Sequence, residues 1–151
     1  YTNFRYTVKV EVKRAGTDQW ILVSITQNLL TTGGKNFIKT QLGSTANSSI
    51  VKYISLSEST SSPSASWTNI PSEITSGGLE RAVGNYTSQG DGQWKIEKTF
   101  TATSTFSAVQ LTGLSWASAS NGGGLLACAT ITSTALQVND QLKITWSQTV
   151  S

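Results

Sequence analysis

Residues 1–13 have the sequence YTNFRYTVKVEVK, and this stretch decides the fold class. Aromatic and β-branched residues alternate with polar residues along it, which is the period-two pattern of a strand with one buried face. The alternation places on the apolar face Phe4, Tyr6, Val8, Val10 and Val12. The polar residues between them fall on the opposite face. The sequence therefore predicts a half-buried strand at this end of the chain.

Similar segments follow along the whole chain and are separated by Gly-rich or polar turns. We predict further strands at residues 20–26, 50–56, 79–86, 93–106, 108–116, 125–132 and 141–150. Trp20 begins the first of these in a strongly apolar run, which predicts a core position for it. In the last one, Leu142, Ile144 and Trp146 are predicted to point inward. One short helix is predicted from Thr31 to Leu42, because Thr31 or Thr32 can cap it and Gly43 can end it. About eight short strands with Gly-rich turns are typical of a β-sandwich or jelly roll. We therefore predict a single all-β domain over residues 1–151, with one short helix.

A polar segment from Ser57 to Gly78 interrupts the succession of strands. It contains both prolines of the chain, Pro63 and Pro71, and isolated apolar residues such as Trp67. Loops of this length in a compact domain are usually functional or contribute to an interface. The sequence thus predicts either role for this segment.

The composition removes most catalytic chemistries. The chain has no histidine, so the commonest general base and the commonest metal ligand are missing. Its one cysteine, Cys128, lies in an apolar run, which predicts a buried and unreactive thiol. The glycines at 122–124 are not followed by the Lys-Ser or Lys-Thr of a phosphate-binding loop. We therefore expect no enzyme activity, no metal and no cofactor.

Carboxylate pairs are the remaining catalytic option, because two such groups form the active site of most glycosidases. The pairs in question are Glu73 with Glu80 and Asp91 with Glu97. Most Asp and Glu side chains are solvated on protein surfaces, so the catalytic interpretation is the less favoured one. Asp91 lies between two glycines and is better explained as a turn residue than as a calcium ligand.

Charge and hydropathy narrow the range of partners. The net charge is +3, and the 11 basic residues are scattered without the dense stripe that follows a nucleic-acid backbone. No apolar run reaches the roughly 18 residues that a membrane span needs. The chain contains 22 Ser and 22 Thr, so short hydroxyl side chains take the surface role that ions usually fill. Such a surface can pack against a copy of itself without desolvating many ions, and we expect neither a nucleic-acid partner nor a membrane span.

Two kinds of surface feature are predicted in addition. Trp67 in the long loop and Trp116 at a strand end are the candidates for exposed aromatic contacts, which would stack on sugar rings or anchor an interface. Asn47 and Asn85 each begin an Asn-X-Ser/Thr sequence and are candidate glycosylation sites in an exported protein. Surface glycans are therefore one candidate class of partner.

The strand predicted at residues 1–13 has two alternative uses. An amphipathic strand at a chain end can complete the sheet of a neighbouring subunit, which hides the exposed edge of an open sandwich. Repeated head to tail, this contact does not close and builds a filament. The hypothesis is that the apolar face of residues 1–13 fills an apolar groove in the next subunit. The alternative is a strand paired within its own sheet, and the sequence leaves both open.

Four segments carry a resemblance to known proteins: Gly78–Tyr86, Trp94–Thr103, Gly124–Ala127 and Asp140–Trp146. Their strand-and-turn pattern resembles small β-sandwich structural proteins of tailed phages and archaeal viruses, which are tail-fibre-like or virion-surface components. In composition the chain is also similar to sandwich subunits of secreted pilus-like filaments. Both resemblances imply a structural role and bring no catalytic residues.

The expected function is a structural subunit of an extracellular pilus-like filament, which assembles with copies of itself through strand donation. The alternatives are a virion structural protein, such as a tail-fibre, tail or capsid-decoration component, and a carbohydrate-binding adhesion module. The chain begins with Tyr1 rather than Met. From this start we expect an exported mature protein, located on a cell-surface filament or on a virion.

Overall fold

A computed structural model describes residues 4–44 and 49–151 as two antiparallel five-stranded sheets that pack face to face. Sheet A consists of β1 (Phe4–Lys13), β2 (Ile21–Gln27), β6 (Asn85–Gly90), β7 (Gln93–Thr101) and β10 (Gln141–Val150). Sheet B consists of β3 (Leu29–Leu30), β4 (Tyr53–Ser57), β5 (Ala82–Val83), β8 (Phe106–Ser115) and β9 (Leu125–Leu136). One helix, α1, spans Thr32–Gly43 in the described part of the chain. The predicted all-β sandwich with one short helix is confirmed.

The chain changes from one sheet to the other on both sides of the sandwich. The strand order is β2-β1-β10-β7-β6 in sheet A and β3-β9-β8-β4-β5 in sheet B. Asn28 separates β2 from β3, and Gly84 separates β5 from β6. A Cβ atom at Gly84 would lie 2.5 Å from Ile96 Cγ2, so only glycine fits this corner. The prediction of one strand over residues 79–86 was wrong, because the chain turns at Gly84 into a second strand.

Strand β1 lies in the interior of its own sheet. It pairs with β10 from Phe4↔Val150 to Lys13↔Gln141 and with β2 on its other side. Its apolar face is buried in the core of the same domain, with Phe4 partly buried and the other members fully buried: Tyr6, Val8, Val10 and Val12. Of the two arrangements that the sequence left open, the structure contains the intramolecular one. Donation to a neighbour would require β1 to leave two hydrogen-bonded partners.

The core lies between the inward faces of the two sheets. On β10 the inward residues alternate as predicted, and Leu142, Ile144 and Trp146 have no exposed surface. They pack against residues of sheet B such as Ile54 and Leu114. Burying one such side chain contributes about 1.5–3 kcal/mol relative to leaving it exposed. This continuous core holds the two sheets together.

Helix α1 is anchored to sheet B by its N-cap residue. Thr31 has an extended backbone (φ −74°, ψ 161°), and its hydroxyl oxygen accepts a hydrogen bond from Gly34 N at 2.8 Å. The same hydroxyl donates to the carbonyl oxygens of Leu125 and Leu126. Gly34 lies directly against Leu126 O, where no side chain would fit. The N-cap prediction is confirmed, and it fixes the position of the helix against the start of β9.

The long loop after β4 lies flat on the outer face of sheet B. Trp67 and Ile70 pack there against Leu125 and Cys128 in a second small apolar cluster. Burial raises the pKa of the Cys128 thiol to about 11, despite a hydrogen bond from the Ser64 backbone that lowers it. The prediction of a buried thiol at Cys128 is confirmed. The loop therefore gives sheet B a cover that sheet A lacks.

Candidate binding surfaces

Arg81 is the centre of a buried polar cluster beneath the long loop. Its guanidinium donates two hydrogen bonds to the Glu73 carboxylate, Nε to Oε2 at 3.0 Å and Nη2 to Oε1 at 2.7 Å. Both side chains have 0% exposure. The remaining donors reach the Asn69 side chain and the carbonyl oxygens of Ala117 and Gly123. These hydrogen bonds hold the long loop against the β8–β9 loop, so the cluster has a structural role.

The carboxylate pairs considered from the sequence have separate structural roles. Glu73 is neutralised by Arg81, whereas Glu80 is exposed and accepts a hydrogen bond from Gly78 N. Asp91 is an exposed turn residue, whereas Glu97 lies on the outer face of sheet A. Burial raises the pKa of Glu97, but hydrogen bonds from Thr145 and Lys95 and the charges of Lys95 and Lys143 lower it overall. Across residues 4–44 and 49–151, no group of three potential metal ligands occurs.

An apolar cavity of about 610 Å³ opens at the end of the sandwich where β1 begins. Its floor is the inward face of sheet A, and its roof is helix α1 with the chain just before β4. The lining residues are almost all aromatic or aliphatic: Phe4, Tyr6, Phe37, Ile38, Leu42, Ile50, Val51, Tyr86, Trp94, Ile96 and Leu126, with Gln41, Lys52 and Gln148. Pockets that hold small molecules fall in this range of volume and polarity.

Gln148 is the polar group at the floor of this cavity. It pairs across the sheet with Tyr6 on β1 and Trp94 on β7, and it is only 3% exposed. Its Nε2 atom has no hydrogen-bond partner within the described residues. Burial raises the pKa of the neighbouring Tyr6 hydroxyl to about 12, so this group stays protonated. An unpartnered buried amide lowers the free energy of unfolding by about 1–3 kcal/mol, so Gln148 destabilises the ligand-free fold at this position.

The opposite end of the sandwich is closed by Asp140, in the turn before β10. Its carboxylate accepts hydrogen bonds from Ala15 N, Gln137 N and Arg14 Nη1, each at 2.8 Å. Burial raises the pKa of Asp140, but these three hydrogen bonds and the charge of Arg14 outweigh burial and lower it. This end therefore has its polar groups paired, in contrast to the cavity end.

Strand β2 carries the most exposed apolar residues of sheet A outside the cavity. Leu22 is 57% exposed and Ile25 is 62% exposed, and they lie opposite Glu11 and Lys9 on the outer face. A bulge at Val23 places both side chains on this face although they are three residues apart. Two exposed apolar side chains next to each other on one strand form a candidate contact surface.

The rest of the outer face of sheet A carries partly exposed ionic side chains. Lys9 and Lys143 both approach the Glu11 carboxylate, at 3.3 and 3.9 Å. The Lys143 ammonium also lies 4.2 Å from the centre of the Trp20 ring. Trp20 was predicted to be a core residue, which is wrong, because it precedes β2 and covers these lysines from outside. The apolar patch on β2 thus stands beside a charged surface.

The two tryptophans predicted to be exposed are both partly buried. Trp67 packs into the cluster under the long loop. Trp116 stacks on Phe37 of α1 with ring centres 4.3 Å apart and planes 14° apart. In each case one face of the indole is already covered by the protein itself. Trp67 thus helps to anchor the long loop, and Trp116 helps to anchor α1.

Of the two candidate glycosylation sites, one lies within the described residues. Asn85 is exposed at the start of β6, the edge strand of sheet A. Asn47 lies outside the described residues. The accessible position of Asn85 is compatible with modification, which stays a prediction.

Comparison with known proteins provides no assignment. No protein-family model matches the chain, and no curated protein or solved structure is significantly similar to it. Among the described helices, none combines the length and apolarity that crossing a membrane requires. The function is therefore argued from the surfaces described above.

The cavity is the feature that the sequence did not reveal. Its walls come from β1, β6, β7, β10 and α1, which are distant in sequence and meet only in the fold. One signal was present: Gln148 continues the inward alternation of Leu142, Ile144 and Trp146, where an apolar residue would be expected. A polar residue in an inward position of a core strand indicates a special environment.

Proposed function

We propose that this chain is a structural subunit that assembles with copies of itself, as a virion component of the tail-fibre or surface kind. The observation that carries the proposal is the apolar patch formed on β2 by Leu22 and Ile25. The resemblance of four segments to β-sandwich virion proteins supports the same class of function. The assembly is expected to take place outside a cell or on the particle.

The patch supports self-assembly because no charged or proline residue interrupts the apolar side chains of this strand. Edge strands are normally guarded by Lys, Pro or inward charges, and ILVSITQ contains none of these. The other edge of sheet A, β6, has the largely polar sequence NYTSQG. The two edges therefore differ in kind, and β2 is the one suited to an apolar contact.

The contact is expected to use side chains more than backbone groups. The side of β2 away from β1 approaches β9, where Thr132 N donates to Ser24 Oγ at 3.4 Å. A further strand added at that edge would compete with β9. The outer face has no such competitor, so Leu22 and Ile25 can pack against the same residues of a second copy. Such a contact is isologous and closes as a dimer, on which higher symmetry can be built.

A filament subunit that donates residues 1–13 is less well supported. The face carried by Phe4, Tyr6, Val8, Val10 and Val12 is already filled by the core of its own domain. A pilus-like filament stays the second candidate, because a contact between β2 and a different surface of the next copy would continue without closing. A carbohydrate-binding module is less favoured, because Trp67 and Trp116 already pack against the cluster under the long loop and against Phe37.

The experiment is a pair of matched charge substitutions. Ile25→Lys is expected to convert the self-associated protein into monomers in analytical ultracentrifugation, with an unchanged melting temperature. Val138→Lys, at an exposed apolar residue in the β9–β10 turn, is the control and should leave association unchanged. Electron micrographs of the wild-type protein then distinguish closed particles from filaments.

Two results would contradict the proposal. A wild-type protein that remains monomeric at millimolar concentration has no self-contact of this kind. Equal loss of association in the Ile25 and Val138 variants would mean that added charge, rather than the β2 patch, is responsible.

A further inference from the structure

The cavity at the open end of the sandwich has a layout that is independent of the β2 patch. Leu22 and Ile25 lie on the outer face of sheet A, whereas Tyr6, Trp94 and Gln148 lie on its inner face. The roof is the underside of α1, where Phe37 and Ile38 pack against the core. A ligand in this space would be enclosed by both layers of the fold.

The polar side chains of the cavity are divided between its two walls, with Gln41 and Lys52 on the roof side and Gln148 on the floor. Five buried side-chain atoms lack a hydrogen-bond partner in the described part of the chain, and among them Gln148 Nε2 is the one that belongs to the cavity wall. Gln148 is a neutral amide, and the Tyr6 hydroxyl beside it stays protonated. A buried neutral donor fits a neutral acceptor at the floor, because an ionised group placed beside Gln148 would lose its hydration there. The one cation among the described lining residues, Lys52, belongs to the segment before β4 on the roof side.

We infer that the cavity binds a long-chain acyl compound with an uncharged carbonyl group, such as a fatty acyl ester. The alkyl chain fills the apolar space under α1, and the carbonyl oxygen accepts a hydrogen bond from Gln148 Nε2. The aliphatic and aromatic lining accounts for the chain, and the amide accounts for the carbonyl. The volume of about 610 Å³ accommodates a ligand of this size.

The test begins with a fluorescent probe that is uncharged and apolar, like the proposed ligand. N-phenyl-1-naphthylamine is uncharged and brightens in apolar sites, and Trp94 in the wall can transfer excitation energy to it. Methyl hexanoate, octanoate, decanoate and dodecanoate are then used to displace the probe. Each added methylene should tighten binding about fourfold until the cavity is full. The matching free acids should bind more weakly than the esters.

Gln148→Leu tests the role assigned to the amide. Loss of the hydrogen bond should weaken ester binding about fivefold to tenfold, whereas binding of the probe should change less than twofold. Gln148→Met serves as a second variant if the branched side chain disturbs the fold. Equal ester affinity in wild type and both variants would overturn the assignment of the carbonyl to Gln148.

Ile38→Trp tests the location, because a larger side chain on the roof fills the cavity. Both ester and probe binding should be lost, whereas Leu22→Trp on the outer face should leave binding intact. Absence of probe binding to the wild type, or tighter binding of the acids than of the esters, would overturn the inference. Loss of self-association in Ile38→Trp would also overturn it, since the cavity would then be a contact between copies. None of these results depends on the outcome for Ile25.

Discussion

Arg81 and Gln148 show two opposite treatments of a buried polar side chain in one small domain. Arg81 carries a full charge, and its guanidinium donates to Glu73, Asn69 and two carbonyl oxygens. Gln148 is neutral and is also buried, but its Nε2 atom has no partner in the described structure. The Arg81 side chain holds two loops together, and the protein itself provides all of its hydrogen-bond partners. The Gln148 amide has no partner within the described part of the protein, which is consistent with the proposed hydrogen bond to a bound ligand.

The largest effect on stability is expected at Arg81, whose charge is paired with Glu73. Arg81→Met should lower the free energy of unfolding by about 3–5 kcal/mol, because it leaves the buried Glu73 carboxylate uncompensated. Urea unfolding monitored by tryptophan fluorescence measures this loss. Arg5→Met, at an exposed arginine of β1, is the control, with an expected change under about 0.5 kcal/mol. If both variants lose the same free energy of unfolding, the Arg81 cluster does not stabilise the fold through its buried charge.

Asp140 provides the next test, at a partnered carboxylate whose effect depends on pH. Its folded-state pKa is lowered, so its contribution is fully present above the unfolded pKa of about 3.9 and is lost as the pH falls through the folded value. Asp140→Asn should cost about 1–2 kcal/mol at neutral pH and flatten the fall in stability on acidification. Asp18→Asn, in the exposed β1–β2 loop, is the control. Parallel pH profiles for wild type and Asp140→Asn would contradict this role.

At Gln148, unlike at Arg81 and Asp140, removal of the polar group should stabilise the fold. Gln148→Leu removes an unpartnered buried amide and should raise the free energy of unfolding by about 1 kcal/mol in the ligand-free protein. Gln141→Leu is the matched control on the same strand, because its amide donates to Thr101 Oγ1 at 3.2 Å. That substitution should be neutral or slightly destabilising. Destabilisation of similar size by both would show that the Gln148 amide is partnered in solution.

The smallest effect is expected at the surface, where water competes with every partner. Lys143→Met should lower the free energy of unfolding by about 0.5 kcal/mol, because the ammonium lies over the Trp20 ring in a partly exposed setting. Lys13→Met is the comparison, since its ammonium is farther from the same ring, at 5.3 Å. Thermal unfolding of both variants and of their Trp20→Leu counterparts gives the coupling energies. Equal coupling for the two lysines would contradict the distance dependence.

Local patterns in the sequence predicted most of the fold. The alternation in residues 1–13 and 141–150 gave β1 and β10, and Thr31 gave the start of α1. The sheet change at Gly84 was missed because the alternation of apolar residues passes through it, while the steric demand comes from Ile96 on another strand. The position of Trp20 was predicted wrongly because its place beside an apolar strand indicates a core residue. Its contact with Lys13 and Lys143 depends on the fold and cannot be read from the local sequence.

The functional surfaces were less accessible to prediction than the fold. The β2 patch depends on the bulge at Val23, which turns Leu22 and Ile25 to the same face and has no sequence signature. The cavity depends on how far α1 stands from sheet A, which is a property of long-range packing. The partner of Arg81 was also hidden, since Glu73 is eight residues away within an irregular loop.

The pairing of Phe4 with Val150 has a mechanical consequence. Strands β1 and β10 run in opposite directions, so their outer ends lie side by side. Tension applied to these two ends would open the hydrogen bonds of the ladder one after another, which takes little force. A particle that must withstand stress would therefore have to pass the load between copies through the flanks of the sandwich, and β2 is the flank with an apolar surface to do so.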